Sequence, residues 1–331
     1  TDSLVGSEMC IRDSLEADGE LGSNIVAYCA DAQTGDVLWQ RKIRGQYPLR
    51  LSGCFSDSTS PPAVTDGERV CFFNASGTVT CFDMQGDQLW SREAMAVGRS
   101  QPFLVHGNVV FTKQTIMPKD GKFGHEHKDA SQELWTQLEA LELASGEHVW
   151  TSTCGVNMGA VPMVSRWSDG REVIVVGRGG GHSPPERPLG VSAIDGKSGK
   201  TLWTLPLERY MSTQTFAMIN DRALIFHGPE HLWVDPSGKV ERRVNLCTDV
   251  KVRRWEGSSY VSQIETLNYK PGKGRAITQQ SNLLVGDYHY FRAYTETYLG
   301  RVHVRTGKVE YLQLPVQLIR LGLKVGRQLV S

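Results

Sequence analysis

One phrase recurs six times along this chain: apolar–x–apolar–acid–x–x–(Thr/Ser)–Gly–x–x–x–Trp. The best copies span residues 28–39, 140–150 and 193–203. A fourth, 81–90, is one residue shorter before its glycine, and worn copies lie at 233–242 and 302–311. The anchoring glycines are Gly35, Gly86, Gly146, Gly199, Gly238 and Gly307. Four places on stand Trp39, Trp90, Trp150 and Trp203, then Arg242 and Tyr311. Repetition at intervals of roughly 40–70 residues restricts the fold to a propeller or a solenoid.

Each phrase reads as a β-hairpin, with alternating apolar residues on both sides of an Asp/Ser/Thr–Gly turn. A second hairpin precedes most copies, with turns at Gly67, Gly107, Gly170, Asp221 and Asp287. Each full unit is therefore four antiparallel strands, and no stretch carries convincing helical periodicity. One such sheet cannot hide both faces, whereas sheets stacked face to face can. The recurring indole sits where it can wedge neighbouring sheets together. Burying it removes about 150–250 Å² from water, roughly 4–6 kcal/mol before entropy is subtracted.

The pattern Ala–x–Asp–x–x–(Thr/Ser)–Gly–x–x–x–Trp resembles the repeat of the pyrroloquinoline-quinone (PQQ)-like β-propeller superfamily, a propeller architecture of the WD40/YVTN-like kind. Ala193, Asp195, Ser198, Gly199 and Trp203 match it fully. Ala140, Glu142, Ser145, Gly146 and Trp150 match with Glu for Asp. Asp31, Thr34, Gly35 and Trp39 match with Cys29 in the Ala place. The resemblance implies an all-β propeller of four-stranded blades, here about five complete blades and a half-blade. Propellers of this type usually have seven or eight blades, so a fragment is expected.

The superfamily holds quinoprotein dehydrogenases and also propellers without a cofactor, among them an outer-membrane-protein assembly lipoprotein. By resemblance, the dehydrogenases use a vicinal Cys-Cys ring, a Trp floor, calcium-binding Glu and Asn, and a catalytic Asp. This chain has no Cys-Cys and no clear set of Asn, Asp and Glu at the expected positions. The expectation is a non-catalytic binding or scaffolding propeller without a cofactor. It would be bacterial and periplasmic or otherwise extracytoplasmic, with or without a membrane anchor, and would hold a protein or peptide partner. The alternatives are a quinoprotein-type oxidoreductase fragment using PQQ with calcium, or a polysaccharide-acting propeller.

Residues 3–14 resemble translated sequencing-adapter read-through from a metagenome assembly. Residues 1–14 are accordingly expected to be non-native and disordered, with one propeller domain over 15–315 and a tail of uncertain register at 316–331.

Lys plus Arg and Asp plus Glu each total 36, so the net charge is zero. That balance speaks against nucleic acid as a partner. No apolar run reaches roughly the 18 residues of a transmembrane helix. Cys71 and Cys81 flank a turn and are expected to face each other, more readily as buried thiols than as a disulfide. His125 and His127 form a His-x-His in a polar insertion, a weak metal candidate with no third ligand fixed. Ser60, Arg99, Ser100, Gln101, Asn157, Ser212, Gln214 and Ser281 lead into the innermost strands of successive blades. They are predicted to form a polar binding ring at one mouth of the channel. The insertion 248–277 mixes six cations with Trp255, Tyr260 and Tyr269, and reads as either a solvated loop or a partner-binding loop.

Overall fold

The computed structural model describes residues 8–15, 24–46, 61–96, 100–114, 134, 136–179, 187–208, 215–268, 277–278, 282–293, 297–314, 324–325 and 328–329. All regular structure among them is β-strand. The chain divides into two compact units, one of Thr1–Gly159 with Gly181–Arg187 and Asp195–Thr201, the other of Ala160–Gly180, Pro188–Ile194 and Leu202–Ser331.

The first unit opens with a three-stranded sheet of β1 (Glu8–Leu15), β2 (Ile25–Asp31) and β3 (Val37–Ile43). A four-stranded sheet follows: β4 (Val64–Thr65), β5 (Arg69–Asn74), β6 (Thr78–Asp83) and β7 (Gln88–Glu93). The next contains β8 (Phe103–Val105), β9 (Asn108–Gln114), β10 (Thr136–Glu142) and β11 (His148–Thr151). Strands follow one another in sequence order across each sheet, so every connection is a hairpin.

The leader expected to be disordered is in part a strand. Glu8–Leu15 runs antiparallel to β2, with Glu8 opposite Asp31 and Leu15 opposite Ile25. The edge of β2 offers a row of backbone groups, and backbone pairing does not depend on a repeat motif. The partial blade therefore has three strands rather than two.

The second unit holds β12 (Met163–Arg166), β13 (Glu172–Arg178), β14 (Gly190–Asp195) and β15 (Thr201–Pro206), except for the β14–β15 turn, which counts with the first. Strand β13 runs on through Gly177 and Arg178. The following sheet is β16 (Ala217–Ile219), β17 (Arg222–His227), β18 (Glu230–Val234) and β19 (Val240–Asn245). The last sheet has six strands: β20 (Val250–Trp255), β21 (Tyr260–Glu265), β22 (Leu283–Val285), β23 (Tyr288–Arg292), β24 (Tyr298–His303) and β25 (Val309–Gln313). Two short strands, β26 (Lys324–Val325) and β27 (Gln328–Leu329), pair near the C-terminus.

The indoles are wedges. Trp39 and Ile43 of the first sheet bury against Val70, Phe72 and Phe82 of the second. Trp90 and Phe73 then meet Val109, Phe111 and Leu141 of the third. Each ring lies flat on the turn glycine of the following phrase. A Cβ added at Gly86 would come within 2.7 Å of the Trp39 ring, and one at Gly146 within 2.6 Å of the Trp90 ring. The same contact joins Trp150 to Gly199 and Trp203 to Gly238. Three of the indoles also donate a hydrogen bond into the turn they cover: Trp39 Nε1 to Met84 O at 3.0 Å, Trp90 Nε1 to Leu143 O at 2.9 Å, and Trp150 Nε1 to Gly196 O at 3.2 Å.

The two worn phrases differ from each other. Arg242 takes the indole's place physically: it lies against Gly307 and donates from Nη1 to Arg305 O at 2.9 Å. Tyr311 does not. The sheets β2–β3, β6–β7, β10–β11 and β18–β19 all have a register shift just past the turn. The β24–β25 pair has none, running Val302–Val309, Arg301–Glu310 and Gly300–Tyr311. A register change of one residue moves a side chain to the opposite face. Tyr311 thus turns inward, packs on Phe291 and donates to Leu246 O at 2.7 Å, while Glu310 occupies the other face.

Candidate functional site

Of the predicted channel-mouth ring, Ser60, Arg99, Ser212, Gln214 and Ser281 lie outside the described residues, as do His125 and His127. Ser100 is buried and its Oγ accepts the Thr112 N–H at 2.8 Å. Asn157 is buried and its Oδ1 accepts the Gly159 N–H at 2.7 Å. Each of the two side chains thus accepts a backbone N–H. Gln101 is exposed. Among the described residues no group of three His, Cys, Asp or Glu is placed to hold a metal ion. Cys71 and Cys81 face each other across β5 and β6 as buried free thiols.

A polar relay that the sequence did not reveal crosses the second unit. Trp233 Nε1 donates to His231 Nδ1 at 3.2 Å, and His231 Nε2 meets His289 Nδ1 at 2.9 Å. His289 Nε2 reaches Asn282 Oδ1 at 2.6 Å, and Asn282 Nδ2 donates to Thr215 O at 2.7 Å. A single tautomer, with the proton on Nε2 of both rings, satisfies every partner. Both histidines are fully buried. Burial, followed by the nearby Arg242 charge, lowers His231 to about 3, and burial followed by His231 holds His289 well below its usual range. The relay ends at Asn282 and Thr215, just ahead of β22 and β16. Nothing in single-residue spacing marks two histidines 58 positions apart as neighbours.

The largest departure from the sequence reading is the insertion at 248–277. Residues 250–265 of it form a β-hairpin rather than a loop. Strand β20 pairs in parallel with β25, matching Lys251 to Glu310, Val252 to Tyr311 and Arg253 to Leu312. Strand β21 then pairs antiparallel with β20 over six residues. Val250 and Val252 bury with Phe291, Val302 and Tyr311, which anchors the hairpin. Arg254 secures its inner face by pairing with Glu265 and donating to Tyr298 Oη at 2.8 Å.

The opposite face of this sheet is open and both aromatic and cationic. Strand alternation places Lys251, Arg253, Trp255, Tyr260 and Ile264 together with Leu299, Arg301 and Leu312. Trp255 is 56% exposed, Tyr260 43% and Ile264 66%. Among the described residues of this unit, they are the only exposed large hydrophobic side chains. The Trp255 and Tyr260 rings meet edge to face at 5.2 Å, and the Arg253 guanidinium lies 5.7 Å over Tyr260. A groove of about 160 Å³ runs beside them, lined by Arg253, Tyr290, Leu299, Arg301 and Leu312. Glu310 is the carboxylate on this face. Burial would raise it, but the hydrogen bond from Arg301 and the charges of Arg301, Lys251 and Lys308 outweigh that and hold it low.

The chain has the β-propeller fold, with about five blades and a partial one. Residues 6–152 match the model of the family described as outer membrane protein assembly factor BamB. Among solved structures it is similar to BamB from Moraxella catarrhalis, at 12% identity and a TM-score of 0.44 over 82% of this chain and 65% of that one. It is also similar to a europium-containing methanol dehydrogenase, at 10% identity and a TM-score of 0.50, over 96% of this chain and 78% of that one. A third is the computationally designed Ika8 protein, at 14% identity and a TM-score of 0.42, over 92% and 88%. The chain thus spans just under two thirds of the BamB structure it resembles. No curated protein matches.

Proposed function

We propose that this propeller is a non-catalytic binding or scaffolding protein that acts outside the cytoplasm on a protein partner. The observation that carries the reading is the open face of the last sheet. Aromatic and Arg side chains exposed together are the composition of protein-recognition surfaces rather than of ordinary solvated ones. The match of residues 6–152 to an outer-membrane assembly family model supports the same reading and suggests an envelope location. No helix among the described residues is long and apolar enough to cross a membrane.

The likeness to a methanol dehydrogenase speaks for the fold. We place a quinone with calcium second, because the sequence has no Cys-Cys and no described group of three acids, cysteines or histidines is arranged for a cation.

The test is co-purification of the full chain with the proteins of an outer-membrane assembly complex, read by size-exclusion chromatography. A stoichiometric complex is expected. Calorimetry with PQQ and calcium gives the opposing arm: submicromolar cofactor binding with no protein complex would overturn the reading.

A further inference from the structure

We propose that the free edge of β21 takes up an extended, acidic segment of a partner protein as an additional β-strand. The inference rests on the protein-binding reading above and assigns it a place, a backbone geometry and a charge.

Strand β21 terminates its sheet, and no described strand lies on its far side. Backbone donors and acceptors along such an edge need a partner, and proteins normally guard them with charge, proline, bulges or short length. Among the described residues, the last strand of each preceding sheet is guarded. Arg41 and Lys42 stand on β3, Arg92 and Glu93 on β7, and Glu241, Arg242 and Arg243 on β19. Strand β15 ends in Pro206, and β11 has only four residues. Strand β21 reads Tyr-Val-Ser-Gln-Ile-Glu, with no cation and no proline. Its one acid, Glu265, is held by Arg254. Its pairing with β20 runs through six residue pairs without a bulge. High β-propensity on a regular, unguarded edge is the template for strand addition.

The side chains beside that edge set the chemistry of the occupant. Tyr260 and Ile264 point to the open face, next to Trp255 and Arg253, and would meet alternate residues of an added strand. Arg253 has no carboxylate partner among the described residues, while Lys251 and Arg301 share Glu310. On the open face itself Lys251, Arg253 and Arg301 stand against Glu310, a net of 3 − 1 = +2. A strand alternating acids with apolar residues complements that charge and lays its apolar side chains against Tyr260 and Ile264.

The test uses the full chain and three fluorescein-labelled peptides of about ten residues: alternating Asp and Val, the same with Lys for Asp, and the acidic peptide with alternate Val replaced by Pro. Anisotropy reports affinity, and amide hydrogen exchange locates the site. The acidic peptide should bind at least about ten-fold more tightly than the Lys version, the Pro version should not bind, and the amides of β21 should gain protection. Arg253→Glu and Ile264→Lys should each weaken binding by about ten-fold, whereas Val37→Lys, on an exposed strand of the first unit, should not. Unchanged melting would show that the variants fold, and the three peptides remain decisive if one does not. Equal binding of the Asp and Lys peptides, protection confined to other strands, or no binding at millimolar peptide would each overturn the inference. So would alginate protecting the same amides in place of peptide. The co-purification experiment decides the broader reading independently.

Discussion

Replacing Gly146 with alanine should loosen the second sheet from the third. The glycine sits at φ +72°, where an L side chain costs about 1–2 kcal/mol. Its new Cβ would lie 2.6 Å from Cδ2 and Cε3 of Trp90, against about 3.5–4.0 Å for ordinary carbon contact. The ring must therefore retreat by about 1 Å. Trp90 is only 7% exposed and is packed among Phe73, Phe111 and Leu141, so the retreat is an overpacking cost of about 1–3 kcal/mol. Its hydrogen bond to Leu143 O would be strained as well, worth about 1 kcal/mol. The total is about 3–6 kcal/mol. Gly35 supplies the control, because it has nearly the same φ, +78°, and nothing within 4 Å of an added Cβ. Gly35→Ala should cost only the backbone strain, about 1–2 kcal/mol. Urea titration followed by tryptophan fluorescence measures both. In a Trp90→Ala background the cost of Gly146→Ala should fall to that of Gly35→Ala. Equal costs for the two glycines in the parent chain would refute the wedge.

Other consequences are open to the same kind of test. Trp150→Ala should cost about 3–5 kcal/mol through the cavity it leaves, and melting of the purified variant checks it. Trp203→Phe should be milder than Trp90→Phe by about 1 kcal/mol, because the Trp203 Nε1 has no hydrogen-bond partner to lose. Stability should fall as pH drops below about 6.5, the unfolded histidine value, towards about 3 for His231. In that window the unfolded chain takes up protons that the buried rings refuse, at about 1.4 kcal/mol per pH unit for each ring. A His231→Gln, His289→Gln double variant should lose that part of the slope in acid denaturation. Cys71, its thiol pushed far up by burial and then by Cys81, should resist Ellman's reagent until the chain unfolds.

The repeat made the fold legible because each indole and each turn glycine answers a local demand repeated in every blade. Trp39, Trp90, Trp150 and Trp203 all stand where the phrase placed them. The phrase failed at Tyr311 because counting residues from Gly307 assumes a bulge, and β24–β25 pairs without one. It also gave no warning that 250–265 would form strands, since parallel pairing with β25 is a contact across about 60 residues that no local pattern records. The insertion's cations and aromatics were visible, but their common face appears only once the register is known. The His231–His289 relay was hidden for the same reason: its members are apolar-strand positions that become neighbours only when two blades stack.

Indole N–H exchange, read by ¹⁵N NMR of the full chain with assigned tryptophans, tests the central claim directly. The Trp39, Trp90 and Trp150 indoles, each buried and bonded into the next turn, should exchange slowly, while Trp255 exchanges at nearly the rate of free tryptophan. Fast exchange at Trp39, Trp90 and Trp150 would contradict the arrangement of sheets on which the fold and the binding face both depend.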